Sequence, residues 1–179
     1  KMSFQEKRQH QEQAVKNLVL EMAQQNGLFE KYVPIITRVE PSQRRGQLRM
    51  SDKFGFELAH IASEPDQYLP LLLRALADTP SGDRDYNLMV GYLRGIAVSN
   101  DGFVEQIKLQ LAGSPDLCIC IPHLCAAVGI KPSDISLVLR LLGDDMITPS
   151  AVSVWSYGRA LEKLNPDQLS PLLNYLLER

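Results

Sequence analysis

The sequence predicts an all-α fold, a right-handed α-α superhelix of stacked helix pairs with about ten helices. Three observations predict it. Apolar residues recur at helical spacing along almost the whole chain. Helix-start signals recur at Pro65-Asp66, Asn100-Asp101, Pro132-Ser133 and Pro166-Asp167, at intervals of 35, 32 and 34 residues. Each start opens an apolar stripe at positions +3, +6, +7 and +10. The stripes are Tyr68, Leu71, Leu72, Ala75; Phe103, Gln106, Ile107, Gln110; Ile135, Val138, Leu139, Leu142; and Leu169, Leu172, Leu173, Leu176, broken only by the two glutamines. One amphipathic helix pair cannot bury such a stripe, whereas stacked pairs share a continuous core.

The elements follow in order. Residues 3–25 are rich in Gln, Glu and Lys and carry a stripe of Val15, Leu18, Val19 and Met22, which predicts a long first helix. Gly27 is its expected stop. Residues 28–38 form a short or kinked helix around Pro34. Residues 39–50 form a loop holding Arg44, Arg45 and Arg49. Ser51-Asp52 is expected to cap a helix running to about residue 63. First helices of the later units then start at the four signals above. Second helices cover about 84–97, 116–128 and 149–163, each after a turn: Pro80-Ser81-Gly82-Asp83, Gly113-Ser114-Pro115-Asp116 and Gly143-Asp144-Asp145. The segments Pro65–Leu72 and Pro166–Leu173 share the pattern P-D-Q-x-x-P-L-L at an offset of 101, three periods. That offset also carries Phe54, Phe56 and Ala59 onto Trp155, Tyr157 and Ala160. The organisation is residues 1–50 as a helical cap with a basic loop, and 51–179 as one continuous repeat region.

Composition excludes several classes. The 179 residues are 45% apolar and 22% charged, which fits a folded domain and not a disordered tail. Three cysteines cannot pair fully, so a disulfide framework is not expected. No apolar run reaches a membrane span, and no charged-then-apolar leader opens the chain. The net charge of −2 argues against a global attraction to nucleic acid. Residues 1–60 alone are net basic, with ten Lys/Arg against seven Asp/Glu. The chain opens on Lys1 and stops inside a helical pattern, so a fragment of a larger protein is expected.

Residues 51–179 resemble the HEAT-like and tetratricopeptide-like helical repeats in period, turn chemistry and apolar stripe. The resemblance implies a scaffold that binds peptides or protein surfaces, and sometimes nucleic acid, along a concave face.

Candidate chemistry is sparse. Cys118, Cys120, His123 and Cys125 suggest a zinc set by type, but on a helix Cys118 and Cys120 point about 200° apart. They are read as packed core, with no metal or cofactor expected, and free thiols favour a reducing compartment. His60 and His10 are isolated, and His60 is expected at a packed or rim position. Gly91 and Gly95 share a helix face, as close helix approach would require. No phosphate loop, dinucleotide fingerprint or nucleophile elbow occurs. Residue types enriched at binding hot spots nominate Tyr86, Tyr92 and Arg94, then Trp155, Tyr157 and Arg159, with Arg44 and Arg45 as a possible acidic-partner contact. Trp155 has a competing assignment to the core. The expected function is non-enzymatic protein interaction or scaffolding within a larger cytoplasmic protein, with a protein or peptide ligand. The rivals are a nucleic-acid-binding repeat, using a stripe of Lys53, Arg44, Arg45, Arg49, Arg94 and Arg159, and a helical-bundle enzyme using His60, His123 or the turn aspartates.

Overall fold

The computed structural model describes residues 3–25, 27–38, 50–157 and 160–178. Among these the fold is all-α, with ten α-helices and no strand, only an isolated antiparallel bridge between Arg38 and Arg84. The helices are α1 (Phe4–Gln24), α2 (Leu28–Ile36), α3 (Ser51–Ile61), α4 (Leu69–Ala77), α5 (Asn87–Ala97), α6 (Asp101–Ala112), α7 (Ile121–Val128), α8 (Pro132–Gly143), α9 (Pro149–Val152) and α10 (Pro166–Leu177). No described helix is long and apolar enough to cross a membrane. The chain divides into two compact units, Lys1–Phe103 and Val104–Arg179.

In the first unit each helix packs on its second neighbour: α1 on α3, α3 on α5, and α2 on α4. α1, α3 and α5 run in the same direction. Glu12 meets Lys53, and Val19 lines a cavity with His60. Asp52 faces Gly91, and Ala59 faces Gly95. The α3–α5 contact is interlocked. A Cβ on Gly55 would run into the Leu88 carbonyl, and one on Gly91 into the carbonyl of Asp52. Backbone cannot yield as a flexible side chain can, so both positions require glycine. The expected close approach at Gly91 and Gly95 is therefore present. Gly27, at φ 81°, turns the chain between α1 and α2 in the left-handed region. The α1 stripe is Val15, Val19 and Met22; Leu18, expected within it, is exposed.

The second unit repeats the arrangement, with α7 packed on α9 and the 3-10 turn after it, and α8 on α10. Trp155 Nε1 donates to the Pro122 carbonyl (2.7 Å) and Tyr175 Oη to the Leu142 carbonyl (2.8 Å), each pair 33 residues apart. In the first unit Ser51 Oγ donates to Asp85 Oδ2 (3.1 Å) across 34 residues. That bond replaces the expected capping role of Ser51, since Met50 occupies the N-cap of α3.

Local chemistry explains which starts formed as expected. Asn100 Oδ1 accepts from Phe103 N (3.0 Å), and Asn165 Oδ1 from Gln168 N (2.9 Å). Pro132 and Pro166 occupy first-turn positions, where no helix hydrogen bond is lost. Pro65 behaves differently. Residues 62–68 form turns, and α4 begins only at Leu69. The near-identical segments at 65 and 166 thus fold differently, because Asn165 caps its helix whereas Glu64 stands at the equivalent place. Residues 116–120 do not extend α7; a 3-10 turn at Cys118–Cys120 leads into it. Pro122 has no amide to donate and so must lie in the first turn. The expected helix 149–163 is α9 followed by a 3-10 turn, Ser153–Ser156. There Ser153 and Ser156 hydroxyls donate to carbonyls three residues back (2.7 Å each), competing with helical bonding.

Candidate functional site

The described candidate residues separate into core and surface. Tyr92 has no exposed surface, and its hydroxyl donates to the Pro65 carbonyl (3.0 Å). Burial pushes this phenol up to about 12. Trp155 is 3% exposed and hydrogen-bonded inside the second unit. Neither can meet a partner: the binding assignment of Tyr92 is corrected to core, and of the two assignments for Trp155 the core one holds, since an amphipathic aromatic with one polar atom satisfied internally is an anchor for packing. Tyr157 is 74% exposed and Tyr86 half-buried. Arg159, Arg44, Arg45 and Arg49 lie outside the described residues.

Arg94 is the candidate that the structure places in a site. It sits on α5 and reaches over α3, donating from Nη2 to Asp52 Oδ2 (2.8 Å). Its guanidinium lies 4.8 Å from the centre of the Phe56 ring, a cation–π distance. Its Nε is the one buried side-chain polar atom without a hydrogen-bond partner among the described residues.

Arg94 borders a trough of about 400 Å³ on the α1–α3–α5 layer. α3 forms the floor with Asp52, Lys53, Phe56 and Glu57, and α1 contributes Arg8, Glu12 and Val15. Helical spacing explains the floor: positions 52, 53, 56 and 57 fall on one face. Glu12 accepts from both Lys53 Nζ (2.5 Å) and Arg8 Nε (3.0 Å). The Lys53 bond, then the Arg8 bond, holds the Glu12 carboxyl below its ordinary value. A second cavity of about 200 Å³ shares Glu57 and continues along α1 and α3. Val19, Leu20 and Ile61 line it together with Lys16, Glu57 and His60, so its wall is half apolar and half polar. His60 is exposed; its Nδ1 lies 2.8 Å from the Phe56 carbonyl and its ring against Phe56, the rim position expected of it.

Sequence reasoning missed most of the trough. Only the Arg8–Glu12 pair, four residues apart on a helix, left a local signal. It also missed a buried ionic cluster in the second unit. Lys108 and Asp134 are each 1% exposed and meet at 2.9 Å, and Lys108 also binds Glu105 (2.8 Å). Burial alone would lower the Lys108 ammonium, but Cys125, Glu105 and Asp134 outweigh it and hold it above its ordinary value. Asp134 Oδ2 also accepts from Lys131 N (2.9 Å) at the start of α8. The Lys108–Asp134 pair is closed to solvent, whereas Glu105 is about one-third exposed at the edge of the cluster.

All three cysteines are buried and free, as expected of core residues. Burial pushes Cys120 up to about 12 and raises Cys118 and Cys125 as well, so none is poised as a nucleophile. No group of three or more metal-ligating side chains occurs among the described residues. In the trough the ionisable groups are mostly paired with one another, an arrangement suited to recognition by charge and shape. Set against protein-family models, curated proteins and solved structures, the chain matches none of them.

Proposed function

We propose that this chain is a non-enzymatic protein-interaction domain of a larger protein, built as a right-handed α-α superhelix, and that it docks partners on the α1–α3–α5 layer. The observation that carries the reading is the trough: a charged cavity over α1, α3 and α5, beside a smaller one over α1 and α3 that shares Glu57 with it. Second-neighbour packing in both units, and hydrogen bonds between residues 33 or 34 apart, support stacked helix pairs. Buried free thiols suit a reducing compartment, which supports a cytoplasmic location. Lys53 and Arg94, two members of the alternative basic stripe, each hold a carboxylate, which favours a protein ligand over nucleic acid.

A photo-crosslinking residue at position 57, inside the trough, tests this. It is expected to capture a defined protein from lysate, while the same residue at the exposed position 74 on α4 captures none. Equal capture at both positions, or none at 57, overturns the reading.

A further inference from the structure

The buried atom of the trough that lacks a hydrogen-bond partner is a donor, Arg94 Nε. Glu12 is engaged by two cations and Asp52 by one, whereas Arg94 holds a single carboxylate and leaves Nε unpartnered. A buried donor without an acceptor costs about 1–3 kcal/mol, so a state that fills it is favoured. Guanidinium is a planar fork that accommodates carboxylates along two edges. The Phe56 ring packs against the guanidinium, 4.8 Å from its centre.

We propose that the trough binds an extended peptide segment through one acidic side chain at Arg94 and one apolar side chain in the adjoining cavity. This inference rests on the docking function above and adds the chemistry of the partner. The incoming carboxylate takes the outer edge of the Arg94 fork. Asp52 moves along the fork onto Nε, so the orphaned donor gains its acceptor. The apolar side chain packs against Leu20 and Ile61, with the alkyl stem of Lys16 beside them. Along α3 the step from Phe56 to Ile61 spans about 7 Å at 1.5 Å per residue. An extended chain covers that in about two to three residues at roughly 3.3 Å each. Glu57 lies between the two cavities and makes no ion pair. It repels a second acidic residue there and accommodates a neutral or basic one, which gives the site a rule against uniformly acidic ligands.

The test uses fluorescein-labelled peptides of the Glu-x-x-Leu and Leu-x-x-Glu series, titrated with the 179-residue chain and read by anisotropy. Replacing the peptide Glu by Gln is expected to weaken binding about tenfold or more. Arg94→Gln should weaken the Glu peptide by a similar factor and leave the Gln peptide unchanged. Arg94→Lys, which keeps the charge and the packing against Phe56, should fall between. A Glu at either intervening position should weaken binding, and Glu57→Gln should remove that penalty. Equal affinity for Glu and Gln peptides, an Arg94→Gln protein that binds like the parent, no binding by any member, or displacement by an equally charged oligonucleotide each overturns the proposal. If position 57 still captures a protein in those cases, docking stands and the acidic chemistry alone fails.

Discussion

Arg94–Asp52 in the first unit and Lys108–Asp134 in the second are ion pairs of nearly the same length, 2.8 and 2.9 Å, in opposite surroundings. The first is about one-third exposed on both sides and borders a cavity; the second is 1% exposed on both. Exposed pairs contribute about 0–1 kcal/mol and exchange partners at little cost. Buried ones cannot, because removing either partner strands a charge in a medium that does not solvate it. The same chemistry is open to exchange in one unit and locked in the other.

The largest expected effect breaks the closed pair. Lys108→Ala should cost about 3–5 kcal/mol in urea unfolding, since Asp134 is left charged and buried. Lys108→Met combined with Asp134→Asn should recover part of that loss, because no unpaired charge remains. A cost below about 1 kcal/mol for Lys108→Ala would remove the contrast between the two pairs.

Next comes the interlock beneath the open pair. Gly91→Ala should cost about 3 kcal/mol or more, since its Cβ meets the backbone of Asp52. Gly82→Ala, with open space around its Cβ, should stay within about 0.5 kcal/mol in the same assay.

The Lys108 cluster should also show in pH. Burial would raise Glu105, yet hydrogen bonds from Lys108 and Lys131 outweigh it and hold the carboxyl below its ordinary 4.5. Its charge therefore stabilises fully above pH 4.5 and progressively less as the pH falls through its lowered value. Lys108 is held above 10.5, so its contribution is complete below that pH and fades as the pH rises past it. Unfolding of Glu105→Gln and the parent, compared at pH 7 and pH 3, should show a gap at pH 7 that narrows at pH 3.

Of the two ion pairs, the open one carries the smaller expected stability effect. Arg94→Gln should cost about 1 kcal/mol or less in thermal unfolding, while peptide affinity falls about tenfold.

What the sequence made legible follows the same division between local and distant. Caps at Asn100 and Asn165 and first-turn prolines at 132 and 166 act within one turn, and those helices start where expected. The helix expected at Pro65 was set by whether residue 64 could cap, and the one expected over 149–163 by serine hydroxyls bonding their own backbone. The trough is assembled from Glu12–Lys53 and Asp52–Arg94, which are 41 and 42 residues apart, so no local pattern encodes it. Arg94 was visible by residue type alone. Tyr92 misled, and Trp155 stood between two assignments, for the same reason: an aromatic with a polar atom suits a core as well as a binding face, and only the position of its acceptor decides.

The account turns on whether Arg94 is an exchangeable pair open to a ligand. The direct measurement is the arginine Nε–H resonance of Arg94 in ¹H–¹⁵N spectra during titration with the Glu-x-x-Leu peptide, alongside the Lys108 ammonium. The account predicts a large downfield shift of the Arg94 Nε proton as Asp52 moves onto it, with Lys108 unmoved. An Arg94 Nε signal that stays in place at saturating peptide, or one that moves together with Lys108, would contradict it.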